Sequence, residues 1–101
     1  MKENDLQRLI LDYLVAKRIF HYRNNSGAMV SEYKGKKRFM RFGASGSPDI
    51  ICVINGQYVG IECKGEKGKQ GDSQKLFQAN LESAGGKYIL AWCLEDLIKL
   101  L

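Results

Sequence analysis

Apolar residues recur at helical spacing in the first part of the chain and again in its last third. The first pattern predicts an amphipathic helix over residues 3–17, with a core-facing stripe of Leu6, Leu9, Ile10, Tyr13 and Leu14. Asp72 or Ser73 can cap a second helix, which Gly85-Gly86 would end. Its buried stripe would consist of Phe77, Leu81 and Ala84. Residues 95–101 predict a short closing helix.

Short apolar runs separated by turn residues predict the strands. Residues 19–23 predict a first strand that ends at a turn-forming segment over 24–27, and residues 29–42 predict a hairpin or extended loop with its tip at 34–36. Residues 49–64 form two runs that meet at Asn55-Gly56, a strong signal for a two-residue hairpin turn. Both faces of this hairpin are largely apolar, so we expect both to be covered. Residues 87–93 predict a final core strand.

The order of these elements predicts the fold class. It reads αβββαβ with one further helix, which indicates an α/β fold in which a mixed β-sheet is flanked by helices in three layers. The 101 residues, of which 45% are hydrophobic, are enough for one core but not for two. We therefore expect a single domain over residues 1–101.

The hairpin turn places two carboxylates opposite each other. If Asn55 and Gly56 are the turn residues, Asp49 faces Glu62, and strand alternation puts Lys64 on the same face. Facing like charges are destabilising, and one lysine leaves the pair with excess negative charge. A bound divalent cation explains the arrangement, with a structural ion-pair cluster around Lys64 as the alternative.

Basic residues are concentrated in the first half of the chain. The net charge is +5, and residues 1–50 contain ten basic and five acidic side chains, whereas residues 51–101 contain six of each. Over residues 17–42 the basic positions are interleaved with aromatic ones. This pattern is typical of a surface that binds a polyanion, although a solvated basic hairpin would have the same composition.

Several classes of site and location are disfavoured by composition. The cysteines are odd in number, lie in apolar runs and lack the close spacing of zinc sites, so we expect buried reduced thiols at Cys52, Cys63 and Cys93. The single His21 has no partners for a histidine-rich metal site. Neither a membrane-spanning run nor a secretory signal is evident, which predicts a cytoplasmic protein without membrane contact.

Five short motifs together resemble one protein family. They are Gly46-Ser-Pro-Asp49, Ile61-Glu-Cys-Lys64, Gly68-Lys-Gln, Gln74-x-x-Phe77 and Gly85-Gly86-Lys-Tyr. In this order they resemble the VRR-Nuc family of the PD-(D/E)XK nuclease superfamily, and the resemblance spans nearly the whole chain. It implies the restriction-endonuclease-like αβββαβ core, in agreement with the element order above.

The resemblance also implies roles for particular residues. Asp49 and Glu62 would bind Mg²⁺ or Mn²⁺ together with the backbone carbonyl of Cys63, and Lys64 would assist the attacking water. Glu3 matches the family's acid on the first helix, although a glutamate there also complements the helix dipole. Gln74 matches a glutamine near the metal, with a solvent-facing position as its alternative. Arg23 and Asn24 match a basic and polar pair that would contact backbone phosphate, with ordinary solvation at the strand end as the alternative. The charge pattern, rather than the resemblance, adds as DNA contacts Lys36, Lys37, Arg38 and Arg41.

The function implied is metal-dependent hydrolysis of phosphodiester bonds in DNA. Short stand-alone members of the family resemble phage and bacterial proteins, which places this chain in the cytoplasm of a bacterial or phage-infected cell. Analogy with Holliday junction resolvases of the superfamily implies a homodimer that acts on branched DNA, such as a junction or a flap. The alternatives are a nucleic-acid binding module without catalysis and a nicking or mismatch nuclease of the same superfamily.

Overall fold

The computed structural model describes residues 1–24, 27–42 and 44–101, so part of the predicted turn at 24–27 lies outside the described residues. The three helices are α1 (Glu3–Ala16), α2 (Asp72–Ser83) and α3 (Leu94–Leu100). The six strands are β1 (His21–Arg23), β2 (Gly27–Tyr33), β3 (Lys36–Phe42), β4 (Ile50–Ile54), β5 (Gln57–Cys63) and β6 (Lys87–Ala91).

Four of the strands form one mixed sheet in the order β1-β4-β5-β6. The pairs β1·β4 and β4·β5 are antiparallel, whereas β5 and β6 are parallel and are connected through α2. Strands β2 and β3 form a separate two-stranded hairpin between β1 and β4. Without this insertion the order is αβββαβ followed by α3, which confirms the predicted α/β fold class.

The turn between β4 and β5 has the predicted geometry. Asn55 and Gly56 both have positive φ angles, 51° and 79°, as a two-residue turn that matches the twist of the strands requires. The ladder pairs Ile54 with Gln57 and continues without a bulge to Ile50 and Ile61. The next facing pair along this register is Asp49 and Glu62.

One face of the sheet and the helices α1 and α3 enclose the hydrophobic core. Leu6, Ile10 and Leu14 of α1 are fully buried, as is Leu97 of α3. They pack against alternate residues of the sheet, which are Ile50, Cys52, Val59, Ile61, Cys63, Ile89 and Ala91. Leu9 is 36% exposed, so its predicted place in the buried stripe was wrong. A helix turns about 100° per residue, which puts Leu9 at the margin of the stripe.

Helix α2 covers the opposite face only in part, which corrects two predictions. It contains no fully buried residue, Phe77 and Leu81 are half-buried, and Ala84 is exposed. Val53 on this face is 41% exposed, so the hairpin is not covered on both faces along its whole length. The N-cap of α2 is Gly71 rather than Asp72 or Ser73.

The cysteine prediction was right for two of the three residues. Cys52 and Cys63 are buried in the core, but Cys93 is exposed. Cys93 follows the end of β6 and is the N-cap of α3, where the chain leaves the sheet. The apolar run predicted one strand through residue 93, whereas β6 ends at Ala91.

Candidate metal centre

Three carboxylates converge from three parts of the chain. Glu3 is the first residue of α1, Asp49 directly precedes β4, and Glu62 lies near the end of β5. One carboxylate oxygen of each lies within 4.8 Å of the others. Glu62 is only 3% exposed, while Glu3 is at the surface. The structure therefore brings the predicted acids together, and Glu3 stands inside the helix with Lys2 as the N-cap.

Backbone hydrogen bonds hold Asp49 in place. Its Oδ2 accepts a hydrogen bond of 2.9 Å from the Cys63 N–H, and its carbonyl oxygen accepts one of 2.8 Å from the Asn24 N–H. The Asn24 side chain donates to Ser47 Oγ at 2.8 Å and to the Pro48 carbonyl at 2.9 Å. Both Asn24 amide hydrogens are thus engaged within the protein, and the role that the structure gives Asn24 is to hold the segment before Asp49. Ser47 belongs to the Gly46-Ser-Pro-Asp49 motif, but no role was predicted for it.

Glu62 is buried with one of its oxygens unsatisfied. Oε1 accepts a hydrogen bond of 3.1 Å from Gln74 Nε2 and lies 3.8 Å from Lys64 Nζ. Oε2 is buried and has no hydrogen-bond partner within the part of the chain that the structure describes. Burial raises the pKa of Glu62 to about 8, with the charge of Asp49 acting in the same direction and Lys64 opposing the shift. An added cation would relieve this unfavourable environment for the carboxylate.

Lys64 and Gln74 complete the polar face around the acids. Lys64 is 9% exposed, and its Nζ donates a hydrogen bond of 2.9 Å to Gln74 Oε1. The same oxygen accepts a hydrogen bond of 2.8 Å from the Gly71 N–H at the start of α2. Gln74 therefore connects the helix to both Lys64 and Glu62, and it is not the solvent-facing residue of the alternative interpretation.

The donor set fits a small divalent cation. Mg²⁺ binds oxygen at about 2.0–2.1 Å in octahedral geometry, so two of its ligand oxygens lie about 3 Å apart at right angles or about 4.2 Å apart across the ion. The carboxylate oxygens lie within 4.8 Å of one another and would move inward to reach these spacings. The unsatisfied Glu62 Oε2 is an independent sign of a missing partner. Glu3, Asp49 and Glu62 are the residues that would hold such an ion.

Cys63 lies against the acids through its backbone rather than its side chain. Its N–H is bonded to Asp49, and its thiol is buried in the core on the other face of the sheet. Burial raises the pKa of the Cys63 thiol to about 12, and the charges of Asp49 and Glu62 act in the same direction. A thiolate is the form that binds metal, so the side chain is a poor ligand and only the carbonyl oxygen stays a candidate.

The predicted DNA-binding residues lie on two separate parts of the molecule. Arg23 is exposed at the end of β1, next to the segment that holds Asp49. Lys36 and Lys37 are exposed at the start of β3. Arg38 and Arg41 lie further along β3, in register with Ser31 and Ala28 of β2. The β2–β3 hairpin forms a sheet separate from the one that carries Glu62.

Two further residues shape the site and were missed from the sequence. The Trp92 indole N–H donates a hydrogen bond of 2.9 Å to the Gly68 carbonyl and so fixes the loop between β5 and α2. Tyr88 is buried on the same sheet face as Glu62, and burial raises the pKa of its hydroxyl to about 12. Only Tyr88 carried a sequence signal, because it ends the Gly85-Gly86-Lys87-Tyr88 motif.

No protein-family model matches the chain, and no curated protein matches it either. Within the described ranges, no helix is long and apolar enough to cross a membrane.

Proposed function

We propose that the chain is a metal-dependent endodeoxyribonuclease that hydrolyses phosphodiester bonds, in the manner of the VRR-Nuc family. The observation that carries the proposal is the unsatisfied Oε2 of Glu62, a buried residue that lies together with Asp49 and Glu3 beside the ammonium group of Lys64. A purely structural cluster would not be expected to leave a buried carboxylate oxygen without a partner.

Each residue of the site has a chemical task in this reaction. Glu3, Asp49 and Glu62 would hold Mg²⁺ or Mn²⁺, with the Cys63 carbonyl as a further ligand. The bound ion would supply electrophilic assistance at the phosphoryl group and a water of lowered pKa. Lys64, whose ammonium group is hydrogen-bonded to Gln74, would orient the attacking water and offset negative charge that builds on the phosphoryl oxygens. Gln74 also positions Glu62.

The substrate we propose is branched DNA, cut by a homodimer. The basic residues of the β2–β3 hairpin, together with Arg23, supply the electrostatic attraction that backbone phosphates require. A two-fold dimer would present two metal centres to the two strands of a junction or flap. Sedimentation of the protein with and without a four-way junction tests the dimer separately from cleavage.

A cleavage assay tests the proposed activity. Wild type and Asp49→Ala are incubated with a labelled four-way junction, a flap, a mismatched duplex and a linear duplex, each with Mg²⁺, Mn²⁺ or EDTA. We expect metal-dependent cleavage of a branched substrate by wild type only. Asp12→Ala, an exposed acid on α1 outside the cluster, is the control and should cleave normally. Binding without cleavage of any substrate would instead support a nucleic-acid binding module, and preference for the mismatch would support a mismatch nuclease.

A further inference from the structure

A second polar site lies near the acidic cluster, where residues of α1 meet the end of β1. It is a cleft of about 300 Å³ lined by Asn4, Gln7, Arg8, Leu11 and Arg23. The four α1 residues follow one another at spacings of three, one and three, so they form one stripe along the helix. Arg23 pairs with Ile50 in the ladder, and Ile50 belongs to the core that α1 covers. Arg23 therefore leaves the sheet on the same side as α1.

The cleft presents hydrogen-bond donors without a matching acid. Arg8 and Arg23 each carry a guanidinium group, and Asn4 and Gln7 add side-chain amides. In the described part of the chain the one ion pair joins Lys64 to Glu62, so neither arginine is paired with a carboxylate there. Two positive groups that line one cleft repel each other, and an anion between them would remove that repulsion.

We propose that this cleft, the Arg8–Arg23 cleft, binds a phosphate group of a nucleic-acid strand. Guanidinium groups bind phosphate oxygens through paired N–H donors, which makes two arginines with two amides a suitable set for one phosphate. The assignment of the phosphate to a nucleic acid rests on the proposed nuclease function, whereas the recognition of phosphate itself does not. The phosphate can be an internal diester or a terminal monoester, since both offer the same oxygens.

The position of the cleft relates it to the metal centre. Glu3 directly precedes Asn4, and Arg8 follows Glu3 by five residues, or about 7.5 Å along the helix axis. Arg23 directly precedes Asn24, whose N–H is bonded to the Asp49 carbonyl. A strand with one phosphate at the metal centre would therefore bring a nearby phosphate of the same strand to the cleft.

Nuclear magnetic resonance of the 11.4 kDa protein can test the cleft without any cleavage. The protein is titrated in EDTA with inorganic phosphate, with a thymidine dinucleotide that has only its internal phosphate, and with the same dinucleotide phosphorylated at its 5′ end. We expect saturable shifts of the Arg8 and Arg23 Nε–H signals and of the Asn4 and Gln7 amide signals. If both dinucleotides shift these signals, the cleft binds an internal phosphate. If only the 5′-phosphorylated dinucleotide shifts them, the cleft binds a terminal phosphate.

Two arginine variants make the result specific. Arg8→Gln should weaken binding of the responding probe by about tenfold or more, the effect of losing a hydrogen bond to a charged group. Arg18→Gln removes the same charge from an exposed residue beyond the C-terminal end of α1 and should bind as wild type does. Equal weakening by both variants, or shifts at Arg18 as large as at Arg8, would overturn the proposal, as would the absence of any saturable shift.

The cleavage assay separates the two proposals. If the protein cleaves DNA with metal but none of the three probes binds in the cleft, the nuclease proposal stands and the phosphate subsite is refuted. If the cleft binds phosphate but the protein cuts no substrate, the subsite stands and the nuclease proposal is refuted.

Discussion

The backbone N–H of Cys63 donates a 2.9 Å hydrogen bond to Oδ2 of Asp49. The regular ladder between β4 and β5 ends with Ile50 and Ile61, so this bond continues the connection of the two strands through a side chain. It holds Asp49 beside Glu62 despite their like charges. The bond uses Oδ2 and leaves Oδ1 as the oxygen that Asp49 would offer to the proposed cation.

Replacing Asp49 with Asn should abolish stabilisation by divalent metal without unfolding the protein. The amide oxygen can still accept the Cys63 N–H, but the site loses one of its negative charges. An ion that binds only the folded state adds about 2.7 kcal/mol at a hundred times its dissociation constant. We therefore expect the thermal midpoint of wild type to rise with Mg²⁺ or Mn²⁺, and that of Asp49→Asn to stay constant. Asp12→Asn should respond as wild type does, and an equal response of all three proteins would contradict the proposed ligand.

The Glu62 carboxyl should make the metal-free protein less stable as the pH rises. Its pKa is raised by burial from 4.5 to about 8 in the folded state, so the folded state binds the proton more tightly than the unfolded state does. The stabilisation that this proton gives the folded state is fully present below the unfolded-state pKa. It is lost as the pH rises through the folded-state pKa, by at most about 1.4 kcal/mol per pH unit. Glu62→Gln cannot ionise, so its free energy of unfolding in EDTA should fall less than that of wild type from pH 5 to pH 9. Parallel pH profiles in chemical denaturation would refute this.

Gln74 should act as a positioning residue for Glu62 and Lys64. Gln74→Ala removes both of those hydrogen bonds, and loss of such supporting groups around a metal site commonly costs about 10–100-fold in activity or metal affinity. It also removes the acceptor for Gly71, worth about 1 kcal/mol of helix stability. Gln74→Glu keeps an acceptor for Gly71 and Lys64 but loses the donor to Glu62. Because its carboxylate would face Glu62, we expect Gln74→Glu to be less stable than wild type in the absence of metal and still slow at saturating Mg²⁺. Asn80→Ala, exposed on the same helix, should have the wild-type rate.

The basic hairpin should set the salt dependence of DNA binding. Each phosphate of duplex DNA that the protein no longer neutralises reduces the steepness of log affinity against log salt by about 0.9. Replacing Lys36, Lys37 and Arg38 with Gln should therefore reduce it by about 2.7. The matched control replaces Lys17, Arg18 and Lys99 with Gln and removes the same total charge. A similar decrease for both triple variants would mean that net charge, rather than this hairpin, determines the slope.

The parts of the fold that sequence predicted are those set by local rules. The Asn55-Gly56 turn and the period of two in β4 and β5 determine the facing of Asp49 and Glu62 without reference to the rest of the molecule. The burial of α2 was not predictable in this way. Its inner side meets the polar cluster through Gln74, and its apolar residues Phe77 and Leu81 are only half-buried. Asn24 and Ser47 lie 23 residues apart, and nothing in the sequence indicates their 2.8 Å hydrogen bond.

Gly46 should be required for the close approach between the segment before Asp49 and the start of α2. Its φ angle is +78°, and an added Cβ would overlap the Ser73 carbonyl, next to Gln74. Gly35 has nearly the same angle, +76°, but open space around it. Alanine at either position incurs the left-handed backbone penalty of about 1–2 kcal/mol. Gly46→Ala should cost about 1–3 kcal/mol more, because α2 must shift.

The side-chain amide signal of Gln74 distinguishes this shift from a general loss of stability. It reports the hydrogen bonds to Glu62 and Lys64, so it should move in Gly46→Ala and stay in place in Gly35→Ala. If Gly46→Ala matches Gly35→Ala in both its free energy of unfolding and its Gln74 signal, the close approach of the two segments does not position the site. If Gly46→Ala alone displaces Gln74, the geometry of the acidic cluster depends on the absence of a side chain at Gly46.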